Sequence, residues 1–210
     1  MRLPVIISFL IVSAAEPILA QNSYIKLGQQ AMFDGNFKLA VKQLEKGAQL
    51  DTTNANALFM LGYSYYQSQN YAKSIATFNR QLAIAPNEAQ AYYFRARAKA
   101  YLGKDFGLTP AEREKHLLGA IWDYTHAISV SPSSEKITSF YQNRGIAYRE
   151  YGMFKAQANL PTYNKAKAIQ SLKASIEELE KVLASEPHRN DIATQLDLSK
   201  EKLAGVVGHH

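Results

Sequence analysis

The chain has 210 residues, with 24 Lys and Arg against 18 Asp and Glu, for a net charge of +6. It contains no cysteine, which excludes disulfides, zinc thiolate sites and a cysteine nucleophile. Its basic residues are scattered rather than blocked, which argues against a nucleic-acid-binding arm; the balance itself favours acidic partners or anionic envelope surfaces.

Arg2, an apolar run from Leu3 to Ala15 and small residues ahead of Gln21 describe a cleaved secretory signal over residues 1–20. Ala20 is the expected cleavage point and Ala15 the alternative. Pro4 breaks the run and Glu16–Pro17 end it, short of the roughly 20 residues that a membrane span needs. Losing this segment removes one Arg and one Glu, so the mature chain stays equally basic. The expectation is an exported protein, periplasmic or secreted, with no integral span after cleavage.

Gly62 follows Gly28 by 34 residues, and the residues around the two glycines correspond at that offset: Leu27 with Leu61, Phe37 with Tyr71, Ala40 with Ser74, Leu44 with Phe78. The first unit, about 21–54, pairs two apolar helical faces across a Gly35-Asn36 turn. The second, about 55–88, repeats them across Gln69-Asn70 and stops at Pro86, which cannot extend a helical ladder. The third, about 89–134, opens in register at Tyr92 and Ala96 but reaches Pro132 twelve residues late. Thr109-Pro110-Ala111-Glu112 inside the extra segment has the form of a helix start with a capping box. The fourth, about 138–187, keeps Tyr141, Gly145, Tyr148, Gly152 and Phe154 in register, but its second helix is delayed by 18 residues and unusually long. Residues 190–205 place Ile192, Leu196 and Leu203 on one face, as an end cap requires, and 206–210 form a tail.

These landmarks resemble the tetratricopeptide repeat: Gly28 and Gly62 match its small residue at the helix crossing, Ala40 and Ser74 the second small residue, and Pro86 the unit-ending proline. Thr52 departs from that proline, and Lys99 stands where an aromatic is common. The resemblance implies an all-α fold, a right-handed α-solenoid of about four hairpins, with insertions in the third and fourth and a capping helix.

It also implies a binding face made by the first helix of each unit. That face would present Ile25, Gln29 and Met32, then Phe59, Tyr63 and Tyr66, then Tyr93, Arg97 and Tyr101, then Gln142, Ile146 and Arg149. Aromatics with arginine suit partner binding, since they offer rigid area and a fork for carboxylates. The expected partner-binding set is Gln29, Tyr63, Tyr66, Tyr93, Arg97, Tyr101, Gln142 and Arg149. Tyr63, Tyr66 and Tyr93 admit a second reading, packing between units, and Phe59 is expected in the core. The carboxylate clamp of some family members is absent, because Ile25, Gln29, Met60, Gln90 and Phe94 occupy its positions.

No catalytic constellation emerges. His116, His126 and His188 are far apart, none with a nucleophile and an orienting carboxylate. Glu112, Glu114 and His116 read as a solvated helix face rather than a metal site, and no phosphate loop exists. No cofactor or metal is expected. The expected function is a non-enzymatic adaptor or scaffold of the cell envelope, binding a protein or peptide segment within a larger assembly. A glycan or cell-wall binding module and a self-assembling solenoid are the alternatives. The insertions, with Phe106, Leu108, Leu160 and Tyr163, either pack back onto the repeats or meet a partner.

Overall fold

A computed structural model describes residues 22–208, and every regular element among them is a helix. The expected signal segment lies outside the described residues. The chain divides into two compact units at Pro86–Asn87. In both, antiparallel hairpins follow one another and each helix packs on the next, which is the arrangement of an α-solenoid.

The N-terminal unit holds α1 (residues 22–33), α2 (Phe37–Leu50), α3 (Ala55–Gln67) and α4 (Tyr71–Ile84). Its two hairpin turns are built alike. Gly35 and Gln69 both adopt the left-handed conformation, with φ of 71° and 60°. In each turn the next N–H reaches back to the preceding helix, Asn36 to the Ala31 carbonyl and Asn70 to the Tyr65 carbonyl, closing a Schellman motif. The same asparagines then cap the following helix, accepting from Leu39 N and Lys73 N. One asparagine thus ends one helix and starts the next.

The two glycines at the helix crossings explain the 34-residue correspondence. A Cβ on Gly28 would lie 2.5 Å from Leu44 Cγ, and one on Gly62 would lie 3.0 Å from the Phe78 ring. Leu44 and Phe78 are fully buried and fill the space each glycine leaves. Ser74 can replace Ala40 at the second small position because its hydroxyl donates to the Gly62 carbonyl at 2.9 Å. Leu44, Leu58, Leu61 and Tyr65 form the core with Ala31, Ala40 and Ala48.

The C-terminal unit holds α5 (Ala89–Leu102), α6 (Pro110–Val130), α7 (Ile137–Lys155), α8 (Lys165–Ser185) and α9 (Asn190–Gly208). α6 and α8 run 21 residues each, against 14 for α2 and α4. The twelve-residue excess is therefore partly loop and partly helix. Thr109 caps α6, Pro110 takes the first turn, and Glu112 completes a reciprocal capping box. Asn164 caps α8 by accepting from Lys167 N. α9 packs on α8 and also touches α7, with Ile192 and Leu196 joining Leu179 and Val182. It continues to Gly208, beyond the Gly205 expected for the cap.

The interior of this unit is apolar but also holds charges. Asp123, 0% exposed, accepts from Arg95 Nε at 2.9 Å and meets Lys99 Nζ at 2.8 Å. Lys99 therefore replaces the aromatic common at its position with a cation that crosses the hairpin to a buried carboxylate. Burial lowers its pKa, and Asp123 opposes that shift by favouring the charged form. Between α7 and α8, Arg144 Nη2 reaches Glu178 Oε2 at 2.9 Å, and Arg144 Nη1 donates to Thr125 at 3.1 Å.

Candidate functional site: a cleft between α5 and α7

α5 and α7 are both first helices of their hairpins, and they line a cleft of about 120 Å³. Arg97, Ala100, Tyr101 and Lys104 come from the end of α5 and the residue region just after it. Asn143, Ile146, Ala147 and Glu150 come from α7, and the buried Tyr124 ring contributes from α6. Spacings of three and four residues bring the members of each helix onto one side.

Tyr93 stands one turn before Arg97 and organises this region. Its ring lies 5.2 Å from Phe140 and 5.8 Å from Tyr124, and Asn143 Nδ2 donates to its hydroxyl at 3.2 Å. Burial pushes the phenol above its ordinary value, while the Arg97 cation pulls the other way. Arg97 holds its guanidinium 5.7 Å from the Tyr93 ring centroid, and Lys104 sits 5.2 Å from that of Tyr101. Tyr93 is thus half-buried and partly structural, while Arg97 and Tyr101 border the cleft directly.

Two expected residues on α7 go elsewhere. Gln142 accepts from Arg189 Nη2 at 3.1 Å, facing the start of α9. Arg149 is buried and donates to the Gln195 carbonyl at 3.3 Å, packing against the cap. Their neighbours Asn143 and Glu150 occupy the cleft instead. A shift of one residue turns a helix by about 100°; Ile146, expected on the same face, does line the cleft.

The N-terminal unit places its three expected residues differently from one another. Gln29 is exposed. Tyr63 is half-buried, edge-on to Phe37 at 6.0 Å, with its hydroxyl accepting from Gln67 Nε2 at 2.7 Å. Tyr66 is buried, with its ring 5.8 Å from that of Tyr71 in the same hairpin. Phe59 is half-buried with its ring 5.9 Å from Phe78.

Of the insertion residues, Leu160 packs on Leu117, Tyr151 and Phe154, whereas Phe106 is 85% exposed. His126 stacks on Trp122 with centroids 3.4 Å apart, and burial lowers the pKa of His116. Among the described residues no group of three or more His, Asp or Glu is placed to hold a metal ion. None of their helices is long and apolar enough to cross a membrane.

Helical hairpins in series, with a cleft formed by first helices, define the class: an α-solenoid repeat protein. Comparisons with known proteins agree. Residues 31–99 match a family model described as tetratricopeptide repeat. DnaJ homolog subfamily C member 7 from Homo sapiens, and likewise from Mus musculus, is 31% identical over 97 residues. That match covers 46% of this chain and 20% of the relative, so the chain spans about a fifth of the length of the curated relatives it matches. The crystal structure of MamA is 26% identical, with a TM-score of 0.55 over 77% of this chain and 79% of that one. The C-terminal part of a TPR repeat-containing protein from Cytophaga hutchinsonii has a TM-score of 0.58 at 23% identity, covering 85% of this chain and 61% of that one, a likeness of fold alone. The tetratricopeptide-repeat family is thus supported by its model over residues 31–99 and by solved structures of the same fold over most of the chain.

Proposed function

We propose that the protein is a non-enzymatic interaction scaffold of the cell envelope that holds a protein or peptide segment in the α5–α7 cleft. One observation carries the reading: Arg97, Tyr101, Lys104, Asn143 and Glu150 converge from two helices on one cleft over the buried Tyr124. Rigid aromatic area beside a guanidinium and an amide offers both contact surface and hydrogen bonds to an extended backbone. The fold is consistent with a protein–protein interaction scaffold. Gln29 and Tyr63 offer a lesser contact surface in the N-terminal unit.

The test is selection of peptides from an unbiased displayed library by the purified protein, repeated with an Arg97→Ala, Tyr101→Ala double variant of unchanged helicity. Recovery of peptides by the wild type and their loss in the variant supports the reading. Recovery indifferent to the double substitution overturns it. The envelope assignment rests on the N-terminal segment, and fractionation of cells producing the tagged full chain tests it; retention in the cytoplasm would count against export.

A second reading has its own observation. Trp122, the chain's single tryptophan, is half exposed, stacked with His126 and beside Tyr92 at 6.0 Å. Such a platform suits the face of a sugar ring. Sedimentation with purified cell wall, lost in Trp122→Ala, would favour a glycan-binding module instead.

A further inference from the structure

The insertion between α5 and α6 adds a second hollow next to the cleft. It holds about 270 Å³ and is lined by Phe106, Arg113, Leu117, Met153, Phe154 and their neighbours. Lys104, Leu117 and Glu150 line both hollows, so the two adjoin and share a wall. The ends differ in chemistry. The α5–α7 end sets Arg97, Asn143 and Tyr101 beside Ala100, Ile146 and Ala147, and the insertion end sets Phe106, Met153 and Phe154 beside Arg113 and Gln157.

Phe106 forms part of the rim of the insertion end. It is highly exposed, and the Arg113 guanidinium lies 4.5 Å from its ring centroid. Arg113 in turn donates from Nε to the Gly103 carbonyl at 3.2 Å and lies 5.2 Å from the Phe154 ring. Charge along the groove is one-sided. Arg97, Lys104 and Arg113 line it against a single carboxylate, Glu150, which has Arg149 Nη2 3.7 Å away.

We propose that this groove selects an acidic protein segment bearing a large apolar side chain. Its carboxylates lie along Arg97 and Lys104, and its apolar side chain enters the hollow beside Phe106, Met153 and Phe154. The inference rests on the reading of the α5–α7 cleft as a protein-binding site and adds the chemistry of what enters it. The insertion then has a role: it adds large apolar side chains beside a short cleft of mixed lining.

The test uses the full chain and the displayed library, followed by fluorescence polarisation with three synthetic peptides. One is acidic with a central Phe, the second has its Glu residues replaced by Lys, and the third has its Phe replaced by Ser. Selection should enrich Glu or Asp together with Phe or Leu. The acidic Phe peptide should bind, and each of the others should bind about tenfold or more weakly. Phe106→Ser should weaken the acidic Phe peptide about tenfold while barely changing the Ser peptide. Lys104→Glu should weaken both acidic peptides and improve the Lys peptide. Both sites are exposed, so circular dichroism should show unchanged helicity. If selected peptides depend on Tyr101 but show no acidic–apolar preference and no response to Phe106→Ser, the inference fails and the cleft reading stands. If no peptide is recovered through Arg97 and Tyr101, the underlying reading fails with it. Binding to cell-wall glycan or polyphosphate through Lys104, without peptide binding, overturns the inference as well.

Discussion

The two units solve the same packing problem with different materials. In the N-terminal unit the buried polar groups are neutral: Ser64, Ser74, Thr77 and Gln81. In the C-terminal unit Arg95, Arg113, Asp123, Arg149, Lys155 and Glu178 are buried. Where hairpins keep the 34-residue period, a glycine and a large apolar residue interlock and little else is needed. The C-terminal unit keeps such interlocking, Gly145 with Leu179 and Gly152 with Leu172, and adds long cationic side chains that close on carboxylates. Such pairs need contribute little net stability over an apolar alternative, but breaking one is costly.

The largest test of that contrast is Asp123→Ala, which would leave the Arg95 and Lys99 cations buried without their carboxylate. We expect a loss of about 3–5 kcal/mol. Segment-resolved amide exchange should show it in α5 and α6. Exchange there as slow as in the wild type would mean the ion pairs do not hold the hairpin. Its counterpart in the N-terminal unit is Leu44→Ala, which empties the space above Gly28 and should cost about 2–5 kcal/mol by denaturant titration. An equal response in α8 and α9 would blur the division between the units.

A third test addresses something the units share. Tyr65 donates to Glu45, and Tyr151 donates to Glu114 at 3.1 Å while Lys155 meets the same carboxylate at 3.0 Å. Burial first, and the Glu114 carboxylate second, push the Tyr151 phenol up to about 12. Its folded value lies above the unfolded one near 10. The stabilisation from this phenol is therefore complete below about pH 10 and lost as pH rises through about 12. Tyr151→Phe should flatten that part of the alkaline unfolding profile and leave the part from Tyr65, which burial and Glu45 also raise. A profile identical to wild type would mean that the phenol titrates without coupling to the fold.

The same contrast explains what could be read from the residues alone. Gly28, Gly62, Leu44 and Phe78 repeat at a fixed offset because interlocking is local to one hairpin, so the solenoid was legible. The α6 start was legible as well, because a capping box is complete within four consecutive residues. The pairing of Lys99 with Asp123 was not, since it joins charges 24 positions apart that share no pattern with another unit. On α7 the register around Gly145 was legible, and Ile146 lines the cleft, but the contacts of α7 with α9 were not. Gln142 and Arg149 are taken up by Arg189 and Gln195, 47 and 46 positions away, partners that no repeat pattern announces. Phe106 carried the clearer signal: a large apolar residue between two glycine-containing turns has few neighbours in sequence to cover it.

The paired turns of the N-terminal unit carry one further consequence. Gly35 and Gln69 hold equivalent left-handed positions, but only glycine does so without steric cost. The second turn therefore retains a small unrelieved strain that the first lacks, with no ligand contact assigned to it. Gln69→Gly should raise stability by about 0.5–1 kcal/mol, the left-handed penalty of roughly 1–2 less the greater unfolded-chain freedom of glycine. Thermal melting would detect it, and an unchanged or lowered midpoint would show the turn already relaxed. For anyone engineering the molecule, this is a place to add robustness without touching either the interlocked core or the groove.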